Sequence, residues 1–464
     1  MKDMKRRAES FMFFDYAGVE RHLEKMAAKG WRLESTANWA WTYRRAEPAR
    51  VTYAVTYVPE ASDWNPEPTR VEQELEEFCA AAGWQKVCEW GKAQIYCTEQ
   101  QDPIPIETDE AMRLEIIRKS MRKGVMPSYL LLLAVFALNI WTQWGSFRLD
   151  PVDFLSGNKL ALMAMIFWGI FIDLWGMLYY LWWSRKSEKS VREGGGCVRP
   201  KRYRSVERIS WAGLVVIFLW MLWGQGASYV TFMLVYMVGM VAVMYILLKI
   251  RGILKNRGVS KKANWTVFLV LDIVLVCALM GGMVWGALKF DFFSRQPVEV
   301  YTDERGMEWD IYHDDLPLRA EDFVPVDDAA IYSCEIRQQE SLLLEKSVYR
   351  DWSFHFNKGL DAPEMSYVVL EVKADFLYDY CLNSWLGQYR EKDERIAEFD
   401  RVYYQEDPTP WNADAAYRLY YTWDNLPVNN WILCKGGYIV QIDTEWDMTD
   451  EMKPLVLKKL GLSD

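Results

Sequence analysis

"MPSYLLLLAVFALNIWTQWG" (Met126–Gly145) runs twenty residues without a charge. A helix rising 1.5 Å per residue covers about 30 Å over that length, the thickness of a bilayer's hydrocarbon core. Leu160–Trp183, Tyr229–Leu248 and Trp265–Phe290 are of the same kind, and Ile209–Trp223 is a shorter relative. We read five spans between residues 126 and 290. The short third one crosses only if Gly224–Ser228 contribute. Otherwise Ile209–Leu248 form a re-entrant pair, and the ends of that pair stay on one side in both versions.

Lys and Arg accumulate in short cytoplasmic loops. Basic residues crowd "RKSMRK" (Arg118–Lys123), the stretch from Arg185 to Arg208, and the stretch from Lys249 to Lys262, whereas "SFRLDPVDFLSGN" and "GQGAS" hold few. The N-terminal region is therefore expected in the cytoplasm and, after an odd number of spans, the C-terminal region outside. Residues 291–464 hold 36 acidic against 17 basic residues, a net of −19, which leaves +9 on residues 1–290. Such an acidic domain stays soluble and repels nucleic acid and anionic lipid. "MKDMKRRAES" leads into too short an apolar run for a cleavable signal, so the first span is expected to direct insertion. The expected division is 1–110, a cytoplasmic α+β domain; 111–125, a basic juxtamembrane helix; 126–290, the spans; and 291–464, an acidic extracytoplasmic α+β domain.

Within the first domain, "LEKMAAKGWRL" (Leu23–Leu33) is echoed by "LEEFCAAAGWQKV" (Leu75–Val87). Val19, Leu23, Met26 and Ala27 form one amphipathic stripe, and Val71, Leu75, Phe78 and Cys79 form another. Asp15 is placed to cap the first helix, and Thr69 with Glu72 makes a capping box for the second. Each helix stops at a glycine, Gly30 or Gly83, before a Trp that opens a strand. The first hairpin uses Trp39, Trp41 and Tyr43, then Val51, Tyr53, Val55 and Tyr57; the second joins Val87–Trp90 to Ala93–Cys97 through Gly91-Lys92. With "FMFF" (Phe11–Phe14) as leading strand, the order is β-α-β-β twice, two equivalent helices on one antiparallel sheet. The aromatic strand face either packs under the helices or binds a peptide or small ligand, and packing is the commoner use.

"FMFFDY", "HLEKMAAKGWRL", "WAWTYRRAEP" and "VTYAVTYVPE" together resemble the bacterial domain of unknown function family 2812. The resemblance covers about a quarter of the chain and implies no catalytic residue. It implies a domain commonly followed by membrane spans, often encoded near PadR-type regulators, and hence a regulatory or envelope role.

Asp173 in "FWGIFIDLWGML" and Asp272 in "FLVLDIVLV" stand inside apolar spans, where a carboxylate must be paired, hydrated or protonated. The spans offer no Lys, Arg or His at matching depth, which favours interhelical hydrogen bonding over a proton or cation path. Gly282 and Gly286 form a GxxxG contact motif suited to helix packing or a homo-oligomer. Trp141, Trp144, Trp182, Trp183, Trp223 and Trp265 read as interface anchors. The basic second cytoplasmic loop is explained by retention and lipid contact, not by nucleic-acid binding.

The outer domain alternates strands with a helix at Phe376–Tyr389 and a closing helix at Thr449–Leu460; Lys435-Gly436-Gly437 is its clearest hairpin turn. "HDD" (His313–Asp315) has no second histidine at ligand spacing, and His355 is remote. Without a nucleophile elbow, a glycine-rich phosphate loop or CxxC pairs, no catalytic, cofactor or metal residue is assigned. Of the eight cysteines, Cys334, Cys381 and Cys434 allow at most one outer disulfide. The chain reads as a non-enzymatic sensing or scaffold protein with lipid contacts and a cytoplasmic protein partner; the competing reading is a transporter or accessory using Asp173 and Asp272.

Overall fold

The computed structural model describes residues 3–36, 40–62, 64–156, 159–200, 203–223, 227–289, 295–302, 306–327, 330–353, 362–387 and 401–462. Trp39, His355 and the Gly224–Gly226 part of the third span's extension lie outside them. Two compact units emerge, Met1–Asn139 with Ala164–Phe293, and Ile140–Met163 with Ser294–Asp464.

The first unit begins with β1 (Met4–Arg7), α1 (Tyr16–Ala27), β2 (Trp31–Ser35) and β3 (Trp41–Arg45), followed by β4 (Thr52–Tyr57), α2 (Arg70–Ala81), β5 (Gln85–Trp90) and β6 (Ala93–Thr98). The β-α-β-β order is thus repeated. The repeat extends to pairing, because the sheets run β1-β3-β2 and β4-β6-β5, each with its leading strand against its last. The caps are those expected: Gly18 N donates to Asp15 at 3.0 Å, Thr69 and Glu72 close a capping box, and Gly30 and Gly83 take φ of +77° and +83°.

Three expectations need correction. Among the described residues the domain has two three-stranded sheets, not one; β2 and β5 are neighbours, with the Thr36 hydroxyl donating to the Glu89 carbonyl, but no ladder joins them. Phe11–Phe14 is not the leading strand; it is a turn that drives Phe14 into the core, so its apolar run reflects burial and not pleating. Nor are the helices equivalent. Val19, Leu23, Met26 and Ala27 of α1 are all buried, with Tyr53, Val55, Tyr57 and Ile95 in the same core. The intervening strand residues Ala54 and Tyr96 instead cluster with Leu75 and Cys79 of α2. Since successive strand residues face opposite ways, α1 and α2 cover opposite faces of the second sheet. Val71 and Phe78, expected on the buried stripe of α2, are exposed.

The helix expected before the first span is α3 (Glu110–Gly124), capped by Asp109. Its Leu114, Ile117 and Met121 complete the core under α1. Among the described residues five helices are long and apolar enough to cross a membrane. They are α4 (Met126–Leu149), which continues α3 after a break at Val125, then α6 (Lys159–Arg192), α7 (Tyr203–Leu222), α8 (Ala227–Asn256) and α9 (Lys261–Lys289), with the short α5 (Pro151–Ser156) after α4. The third candidate starts earlier than expected and reaches 20 helical residues. These helices expose large apolar side chains on most of their surface, as a lipid-facing helix does.

The second unit is β-rich. A hairpin of β7 (Glu299–Thr302) and β8 (Glu308–Ile311), which sequence periodicity did not reveal, precedes β9 (Tyr332–Glu340), β10 (Leu344–Ser353), β11 (Met365–Val372), α10 (Tyr378–Leu386), β12 (Val402–Glu406), β13 (Ala415–Tyr421), β14 (Pro427–Lys435), β15 (Tyr438–Thr444) and α11 (Lys453–Lys459). The last nine strands minus the opening hairpin form one antiparallel seven-stranded sheet, β12-β13-β14-β15-β11-β10-β9. One face buries Trp431, Leu433, Val440 and Ile442 under Val456 and Leu457 of α11. The other buries Leu370, Ile432 and Ile439 under α10 and, unexpectedly, under Val152, Phe154 and Leu155 of α5. The segment read as a plain loop between two spans is therefore part of this domain's core. Cys334, Cys381 and Cys434 are buried free thiols.

Candidate functional site

The strongest concentration of specific contacts in the first unit lies where the N-terminal domain meets α3, α6, α8 and α9. Trp183, read as an interface anchor, is fully buried within the chain; its ring lies 4.6 Å from that of Phe14, and its Nε1 donates to the Val198 carbonyl at 2.6 Å. Tyr180 and Trp183 thereby belong to the same core as α1 and β4. Arg118 of α3 donates to the Ser184 hydroxyl at 2.7 Å, the Ser184 carbonyl at 2.9 Å and Glu188 at 2.7 Å. The Cys197 amide donates to Glu110 at 3.0 Å, so the segment after α6 is held too. A buried Trp and an arginine with three acceptors fix geometry far better than exposed ion pairs do.

A second foothold lies at α8 and α9. Trp64 packs edge-on against Phe268 at 5.0 Å with the Arg251 guanidinium 5.3 Å from its ring, and Lys255 lies 3.8 Å from Glu89. Asn264 is fully buried at the start of α9 and donates to the Arg251 carbonyl. The aromatic strand face considered for ligand binding is not available: Trp41, Tyr43, Tyr53, Val55 and Tyr57 are buried.

A small cleft of about 210 Å³ opens instead at the outer edge of β4, between Thr52–Thr56 and Pro103–Glu107. The Val55 amide donates to Glu20 at 2.9 Å, so this carboxylate occupies a strand edge that would otherwise accept another chain. Burial raises the Glu20 carboxyl to about 7 against that hydrogen bond and raises Asp15 to about 6. On the other wall Arg113 holds Glu107 at 2.6 Å, Thr56 donates to Glu107, and Trp84 Nε1 pins the Ile104 carbonyl at 2.8 Å. The cleft pairs these polar groups with one another. Sequence reading passed over Glu20, Glu107, Arg113 and Arg118, because each sits on the polar flank of a helix or in a short connector.

Asp173 is 5% exposed, and its Oδ2 has no hydrogen-bond partner. Gly169 and Gly176, one turn to either side on the same helix face, lie under Phe136 and Tyr129 of α4, which places this carboxylate at the α4–α6 contact. Asp272 is partly exposed on α9, and no ion pair or hydrogen bond joins the two. Among the described residues nothing approaches the Cβ positions of Gly282 and Gly286 within 4 Å, so the close contact expected there is not made by them. In the second unit Asp314 is engaged by Arg295 and the Ile336 amide, and among the described residues no three His, Cys, Asp or Glu side chains converge as metal ligands.

Comparison with curated proteins and with solved structures gives no match. The family comparison does match: residues 15–128, the N-terminal region from the cap of α1 to the start of α4, fit the model of the family described as "Protein of unknown function (DUF2812)".

Proposed function

We propose that the chain is a multi-pass membrane protein in which a cytoplasmic N-terminal module is mechanically joined to the membrane helices and reports their state to a protein partner. The role is sensing or regulatory and not enzymatic. The observation that carries this reading is Trp183: the core of the N-terminal domain continues without a break into α6. A freely tethered domain has no use for such a joint. Two features support the orientation with the N terminus inside and the C-terminal domain outside. The segments that grip the N-terminal domain, around Ser184–Val198 and Arg251–Lys255, are those rich in Lys and Arg. The segment that joins the C-terminal core, α5, comes from the loop poor in them.

The reading is tested by crosslinking the full-length protein in its native membrane and identifying co-purified proteins. It predicts a partner captured through the N-terminal domain whose yield falls several-fold in Trp183→Ala. Equal capture by both proteins refutes the coupling.

Asp173 motivates a second reading, a transporter or accessory, because a buried carboxylate oxygen without a partner inside a span is costly unless protonation or a cation relieves it. Asp173→Asn and Asp272→Asn abolish proton- or cation-coupled flux on this reading, and normal flux in both removes it.

A further inference from the structure

The cytoplasmic end of α6 has two opposite faces. Tyr180, Trp183, Ser184 and Ser187 are buried on one. The other carries Leu178, Leu181 and Trp182, then Arg185, Lys186 and Lys189 within about 16 Å of helix, all exposed and lining one shallow groove of about 430 Å³. Apolar side chains fill the end of this stripe nearer the span and cations the end beyond it. That segregation is what distinguishes the groove from a merely basic loop.

One local acid is drawn away from it. Glu188 is held by Arg118 from the N-terminal domain at 2.7 Å and by Arg192. Lys186 lies 4.9 Å from the Trp182 ring centre, and Tyr179 stacks on Trp182 at 5.5 Å, so the aromatic floor and the ammonium are set together. Lys189 pairs with the exposed Glu193 at 3.9 Å.

From this arrangement we infer that the outer face of α6 is a binding site for an anionic phospholipid. The phosphate-bearing headgroup sits among Arg185, Lys186 and Lys189, and the first part of an acyl chain lies on Leu178 and Leu181 beside Trp182. A guanidinium and two ammonium groups complement a lipid phosphodiester, and the leucines complement the chain, which a free phosphate lacks. The inference rests on the membrane reading above and deepens it. The same turn of helix carries the lipid on one side and Trp183 in the N-terminal core on the other.

The test uses the full-length protein in a mild detergent, with the thermal unfolding midpoint followed against added phosphatidylglycerol, phosphatidylcholine or inorganic phosphate. A saturable rise with phosphatidylglycerol alone is expected. Arg185→Gln/Lys186→Gln/Lys189→Gln should raise the lipid concentration needed at least tenfold at an unchanged lipid-free midpoint. A control set on another basic loop, Arg257→Gln/Lys261→Gln/Lys262→Gln, should respond as wild type. An unchanged titration in the α6 variant overturns the site, as does an equal response to phosphatidylcholine or a full response to inorganic phosphate. Lipid binding read this way needs no protein partner. If capture of a partner fails while the titration behaves as expected, the signalling reading falls and the site stands.

Discussion

Helices α1 and α2 open the same kind of unit, end on the same Ala-x-Gly-Trp signal and sit against strands of the same order, yet they do different work. The apolar stripe of α1 is buried throughout, with Val19 and Ala27 at 0% exposure. In α2 only Cys79 matches that, and Phe78 is 62% exposed. The difference comes from what covers each helix. Helix α1 is enclosed by β4, α3 and the end of α6, whereas α2 has one sheet face and the Ile106 segment. The two halves share one order of elements, and packing against α3 and α6 makes the first of them central.

Breaking the comparison should show large effects in the first half and small ones in the second. Leu23→Ala removes a side chain 1% exposed and should cost about 3 kcal/mol, measured by denaturation of the full-length protein in detergent. The Glu20 carboxyl gives the next effect. It is raised from 4.5 to about 7 in the fold by burial, so the folded state binds the extra proton. Its contribution is complete below about pH 4.5 and is lost as pH rises through about 7. Stability of wild type should therefore decline across that window, and Glu20→Gln should flatten that part of the profile. Thr69→Ala opens the capping box of α2 and should cost about 1 kcal/mol. Smallest of all, Phe78→Ala should shift stability by no more than about 0.5 kcal/mol, since the ring is already in solvent.

Much of this fold was legible in the residues. Caps at Asp15 and Thr69, the stops at Gly30 and Gly83, the five apolar helices and the hairpin turn at Gly436 follow from local chemistry: capping oxygens, left-handed glycines and periodicity. What was not legible depended on distant partners. Phe11–Phe14 has strand composition but is a half-buried turn, because Trp183, some 170 residues later, receives Phe14. Val152, Phe154 and Leu155 are too few to announce a helix, and only the sheet that they cover explains them. The site was less legible than the fold. Asp173 drew attention by its cost in an apolar span, whereas Arg118 and Trp183 look like an ordinary basic residue and an ordinary interface tryptophan. Their roles come from tertiary pairing, which periodicity does not encode.

The central claim is that α6 and the N-terminal domain share one core. Hydrogen exchange of the full-length protein, comparing wild type with Trp183→Ala, tests it most directly. The account predicts at least tenfold faster exchange at amides of Tyr16–Ala27 and Glu110–Gly124, with Arg70–Ala81 unchanged. Equal exchange in α1 and α3 of both proteins would contradict it.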